Sequence, residues 1–133
     1  LLNLTAPLAS AITKLPDTDS LILMTHCGPL GASTAVATAL NDDSIVGRGV
    51  RKDWIESGSA TLRALVESDA VQRRCVLHVH GHTHNGCGVA RLGAVAIVNP
   101  GSVHYTRSYG LLRMRRTESG AWRRESVEIV ELA

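Results

Sequence analysis

The 133-residue sequence contains no Phe, and aromatic residues make up only 3% of it. So few rings leave little on which bases could stack, which argues against a single-strand nucleic-acid binder. The formal charge of +2 is also too small for the basic footprint of a protein that tracks a phosphate backbone. No apolar run approaches the roughly 20 residues that span a bilayer, so no membrane partner is expected. The start lacks a basic n-region and a clean apolar h-region, so it does not read as a signal peptide. The three cysteines are odd in number, irregularly spaced and without a C-x-x-C pair. They suit free thiols in a reducing compartment better than a disulfide framework, and a cytoplasmic location is expected. Repeats, linkers and low-complexity segments are missing as well.

What is present is enough for one domain: 44% hydrophobic and 20% charged residues can bury a core. Residues 4–15 have the spacing of an amphipathic helix, with Thr5 as cap, Pro7 in the first turn and Pro16 as terminator. Residues 21–25 form an unbroken apolar run, read as a buried strand ending at His26 and the turn Cys27-Gly28-Pro29. Residues 32–40 admit a short helix, although small residues followed by Asn41-Asp42-Asp43, Gly47 and Gly49 favour a long loop. Residues 59–68 predict a helix capped by Ser59, with Leu62, Leu65 and Val66 on one face. Residues 76–80 predict a second strand, broken by Gly81. Two hairpins follow, over 88–98 and 109–132, separated by the turn Asn99-Pro100-Gly101-Ser102. The expected fold class is α/β, mainly one sheet with flanking helices.

The chemistry concentrates in the histidines. His26 and the pair in Gly81-His82-Thr83-His84 stand at the C-terminal ends of two predicted strands. If those strands are neighbours, about 4.8 Å apart, all three imidazoles can meet over one sheet edge, where α/β folds usually place their ligands. Imidazole suits zinc, iron, manganese or nickel. His78 and His80 extend a histidine tract that binds metal by composition, or else are packed strand residues. A zinc site built from Cys27, Cys75, Cys87 and His82 or His84 is a weaker alternative, since Cys75 begins a strand away from the histidine turn. Arg113, Arg115, Arg116, Arg123 and Arg124 make either a phosphate patch or, more simply, a solvated strand face.

Thr25-His26, Gly81-His82-Thr83-His84 and Asn99-Pro100-Gly101-Ser102-Val103, in this order, resemble the calcineurin-like metallophosphoesterases over roughly residues 4–116. The N-P-G-S element is most similar to the small bacterial and archaeal phosphodiesterase branch. The resemblance implies a four-layer α/β/β/α sandwich with two divalent metals between its inner sheets. It implies that His26 and His82 ligate one metal and His84 the other, with a phosphoester as substrate. The family's D-x-H, G-D-x-x-D and G-N-H-D/E elements precede the strand-end His, and none of them occurs here. The turn after His26 also departs from the family's H-x-P-P. Residues 1–133 are therefore expected to be the C-terminal portion of one metallophosphoesterase domain, beginning at Leu1-Leu2 without a Met.

The missing carboxylates matter quantitatively. Two divalent ions about 3.5 Å apart repel by about 19 kcal/mol at an effective dielectric near 20. Carboxylates and a bridging hydroxide normally offset this, and three neutral imidazoles cannot. At most one weakly held ion and no phosphoester hydrolysis are expected of the chain alone. The complete enzyme is expected to hydrolyse phosphoric mono- or diesters by a metal-activated water, with the missing half as partner. The alternatives are a non-catalytic scaffold of the same fold, whose inner sheet face a protein partner covers, and a small metal-binding module holding one ion tightly.

Overall fold

Pro7 stands in the first turn of α1 (Thr5–Thr13), where its missing N–H costs nothing. The helix ends earlier than its apolar spacing suggests. Lys14 and Leu15 donate to Ala11 and Ile12 in tighter three-residue bonds, and Pro16 then prevents the helix from resuming. The computed structural model describes residues 5–38 and 54–133.

The apolar run after this helix becomes β1 (Leu21–Thr25), which pairs in parallel with β4 (Cys75–His80). Next to β4 lies β6 (Val95–Asn99), again parallel, and β5 (Gly88–Leu92) closes the sheet antiparallel to β6. The order is β1-β4-β6-β5. All of β6 is buried, as its uninterrupted Val-Ala-Ile-Val requires of a strand covered on both faces. Against one face pack α1, α2 (Ala60–Glu67) and α3 (Asp69–Gln72), with Ile12, Leu62, Val66 and Val71 meeting Leu23, Val95 and Ile97. The other face carries the hairpin of β7 (Ser108–Arg116) and β8 (Trp122–Glu131), whose Leu112, Val127 and Ile129 pack on Leu77, Ala96 and Val98. The fold is thus mixed α/β, in three layers.

Ser59 caps α2 as expected, its hydroxyl accepting from the Leu62 N–H at 3.2 Å. The same residue ties the helix start to the turn after β1. Its N–H donates to Gly28 at 2.9 Å and its carbonyl accepts from Leu30 at 3.1 Å. The His26 turn is therefore held by α2 as well as by β1.

The structure corrects one expectation. The strands are not mainly one sheet: β7–β8 form a separate two-stranded sheet, and β2 (Val36–Thr38) pairs with β3 (Trp54–Glu56) in another. Of the two readings of residues 32–40, the less favoured short helix does not form in the described part. Ser33–Ala35 is a single 3-10 turn and β2 follows, in keeping with the β-branched residues at Val36 and Thr38. The long loop read from Asn41 to Gly49 lies outside the described residues.

On the outer face of the hairpin, Arg113 pairs with Glu128 at 3.7 Å and Arg115 with Glu125 at 3.1 Å. These arginines form a solvated, partly neutralised strand face. No helix among the described residues is long and apolar enough to cross a membrane. The hairpin covers β4 and β6 but not all of β1, an edge strand among the described residues. Met24 is left 76% exposed and Ile22 47%. Ile22 joins Ser20, Val76, Met114 and the half-exposed Trp122 around a mainly apolar cleft of about 340 Å³.

Candidate functional site

Parallel pairing in the register Thr25↔His80 puts the ends of β1 and β4 side by side. The ladder runs one step further, the Gly81 N–H donating to the His26 carbonyl at 3.1 Å. His82 then takes a left-handed conformation, φ +68°, which is uncommon for a residue with a side chain. That turn brings His82 Nδ1 to 3.2 Å from His26 Nε2 at the exposed end of the sheet. The ring centroids lie 4.9 Å apart with planes at 62°. A head-on N–H···N bond of that length would hold the centroids about 5.5 Å apart, so the two rings do not meet head-on. Two imidazoles bound to one zinc at about 2.0–2.1 Å, roughly 100° apart, would also have nitrogens about 3.2 Å from each other. The pair has the spacing of two ligands of one ion.

His84 goes elsewhere. Thr83, between the two histidines, is buried and points inward, its hydroxyl donating to the Thr34 carbonyl at 2.9 Å. The chain then enters the 3-10 turn His84–Gly86. The His84 ring stacks on Tyr105, with centroids 4.6 Å apart and planes at 20°. The structure therefore brings His26 and His82 together but not all three histidines. Among the described residues no group of three or more His, Cys, Asp or Glu side chains is placed to hold an ion. The four-ligand thiol site is not assembled, and all three cysteines are free. Cys75 is buried at the start of β4, donating to the Leu77 carbonyl at 3.3 Å.

Below the turn lies a buried polar network that sequence reasoning missed. Asn99 donates through Nδ2 to the Thr83 carbonyl at 2.6 Å and the Thr34 carbonyl at 3.0 Å. Its Oδ1 accepts from the Gly101 N–H at 3.0 Å. Asn99 is fully buried, and Thr34 and Thr83 nearly so. Three segments are thus clamped to one another: the 3-10 turn before β2, the histidine turn and the end of β6. The motif Asn99-Pro100-Gly101-Ser102 marks a turn in the sequence, but the reach of Asn99 to Thr34 carries no local signal.

His78 and His80 belong to the foundation of the site. His80 Nδ1 donates to the Gly81 carbonyl at 3.0 Å, since a carbonyl can only accept, and Nε2 meets the Thr34 hydroxyl at 2.8 Å. The Thr25 hydroxyl gives its one proton to the Cys27 carbonyl at 2.6 Å. It must then accept from His78 Nε2 at 2.7 Å, leaving buried His78 Nδ1 without a partner. Burial, with a smaller contribution from the neighbouring His80, lowers the His78 pKa from 6.5 to about 4. Burial likewise lowers that of His80. Both rings are neutral near pH 7, and Gly28 packs directly on His80, leaving no room for a Cβ.

The donor set decides what the arrangement can hold. Two neutral imidazoles suit one borderline-soft divalent ion. They do not fit a two-metal centre by themselves, because no carboxylate among the described residues joins them. Comparison with protein-family models, with curated proteins and with solved structures finds no match.

Proposed function

We propose that this chain carries the histidine side of a metal-dependent phosphoesterase site, completed by carboxylate and further donors from outside the described residues. The observation that carries the reading is the convergence of His26 Nε2 and His82 Nδ1 at 3.2 Å on the adjoining ends of two parallel strands. The N-P-G-S turn supports it, because its Asn99 pins the backbone of the histidine turn from below. In this reading His26 and His82 hold one divalent ion, and His84 serves a second once the missing donors are present. The ions supply an activated water and charge stabilisation for hydrolysis of a phosphoric mono- or diester. The chain's own part is to orient imidazoles, and alone it turns over no phosphoester.

The test is the coding sequence ahead of Leu1 and the activity of its product. The reading expects D-x-H, G-D-x-x-D and G-N-H-D/E there, with hydrolysis of an aryl phosphodiester that His82→Ala abolishes. A start codon at that boundary, or a longer product that has those motifs and no turnover, overturns it. One observation favours a second reading, a non-catalytic scaffold of the same fold: the apolar cleft beside β1, where Ile22 and Trp122 stay about half exposed. A start codon at the boundary would favour that alternative.

A further inference from the structure

We propose that the open edge of β1 pairs with β1 of a second copy of this chain, antiparallel and in a two-fold register centred on Leu23. The inference goes beyond the phosphoesterase reading and stands without it. Among the described residues β1 pairs only with β4, so its far edge meets no other strand there. The Leu21 N–H donates to the Arg74 carbonyl on the β4 side at 2.9 Å. Main-chain groups alternate in direction along a strand. Leu23 and Thr25 therefore face β4 as well, while Ile22 and Met24 direct their N–H and C=O groups to the open edge. Proteins usually blunt such an edge with Lys, Pro or an inward-pointing charge. From Ser20 to Thr25 there is neither a proline nor a charged side chain.

A second copy fits this edge in hydrogen bonding, apolar surface and charge. Centred on Leu23, the two-fold sets Ile22 of one strand opposite Met24 of the other, so each such pair exchanges both of its main-chain bonds. No other antiparallel self-register pairs the whole of Leu21–Thr25. The same pairs join exposed apolar side chains, since Ile22 is 47% exposed and Met24 76%. Both lie on the face opposite Leu23, which is buried among the helices. Ile22 lines the apolar cleft beside Trp122, and Met24 of the second copy, directly opposite, is a side chain suited to irregular gaps. At the strand ends Ser20 falls opposite His26 of the second copy. Exposed Asp19 thereby comes to the imidazole end of the other sheet, a carboxylate against ring N–H donors. Five residues a side is far below the roughly 20–30 of a standard interface, so the dimer is a weak one.

Sedimentation velocity of the 133-residue chain between about 10 μM and about 1 mM, the range of weak association, tests the proposal. The native chain should shift from monomer to dimer as its concentration rises. Ile22→Lys and Met24→Glu, each placing an unpaired charge in the pairing, should each weaken association at least about 10-fold. Circular dichroism checks that each variant is folded, and Met24→Glu, at the more exposed position, carries the test if Ile22→Lys is not. Combining the two substitutions sets Lys opposite Glu across both symmetric pairs and should restore association to within about 3-fold of native. Position 22 lies opposite position 24 in neither a parallel in-register pairing nor an antiparallel one centred elsewhere, so this rescue reads the register itself. A monomer at every concentration overturns the proposal. So does a dimer that neither charge disturbs, which would be held together elsewhere. Loss in both single variants without rescue in the double variant overturns the two-fold register.

Discussion

Replacing Asn99 by Ala should loosen the histidine turn more than any other single change outside the histidines. The side chain makes three bonds to main chain, to the carbonyls of Thr83 and Thr34 and to the N–H of Gly101. Alanine keeps none of them. The Thr34 carbonyl still receives the Thr83 hydroxyl at 2.9 Å, so it is not orphaned. The Thr83 carbonyl and Gly101 N–H lose this partner, and each buried polar group left unpaired costs about 1–3 kcal/mol. The sum is about 2–6 kcal/mol, a large part of a small domain's stability. With a urea slope of about 2 kcal/mol/M, a loss near 3 kcal/mol lowers the unfolding midpoint by about 1.5 M. Circular dichroism during urea titration measures this, and the His26 and His82 ring resonances report whether the pair separates. A loss below about 0.5 kcal/mol with both sets of resonances unmoved would refute the clamp.

Stability should fall in acid. The folded pKa of His78 lies at about 4, below the unfolded value of about 6.5, so the unfolded chain takes up the proton first. The stabilisation is complete above about pH 6.5, declines as pH falls and levels off below about 4, a loss of up to about 3 kcal/mol. His80 acts in the same direction. Urea midpoints at pH 4.5 and 7 check this, and His78→Leu should flatten the difference. Gly28→Ala should cost about 1–3 kcal/mol, because the new Cβ would lie 2.5 Å from the His80 ring, whose two nitrogens are both bonded; thermal unfolding reads it. A thiol reagent should label half-buried Cys27 and Cys87 first. Cys75, buried and with its thiol pKa raised by burial, should react only on unfolding, which mass spectrometry of labelled peptides would show.

The elements most legible in the sequence are those with strong local grammar. Alternation of Leu112 and Met114 with arginines, and Gly93 and Gly120 at positive φ in the turns, specify the two hairpins. Ser59 announces α2. The meeting of His26 and His82 was legible only given that β1 and β4 are parallel neighbours, which tertiary packing decides. The short β2–β3 pair was not legible, since three residues of Ala, Val and Thr leave too little pattern and their partners stand far off in sequence. Nor was the divergence of His84. It follows from Thr83 turning inward to Thr34, 49 residues earlier, and from Tyr105, which no local pattern ties to the histidine turn.

Central to the account is a pair of imidazoles converging as ligands of one ion while the carboxylates for a second are supplied from elsewhere. The most direct measurement is a zinc titration of this chain, monitored by the imidazole resonances of all six histidines, with aryl phosphodiester turnover followed in the same samples. The account predicts that His26 and His82 respond together to a single weakly held ion, that buried His78 and His80 stay still, and that no turnover appears. Silence of His26 and His82 at millimolar zinc, or turnover that His82→Ala abolishes, would contradict it.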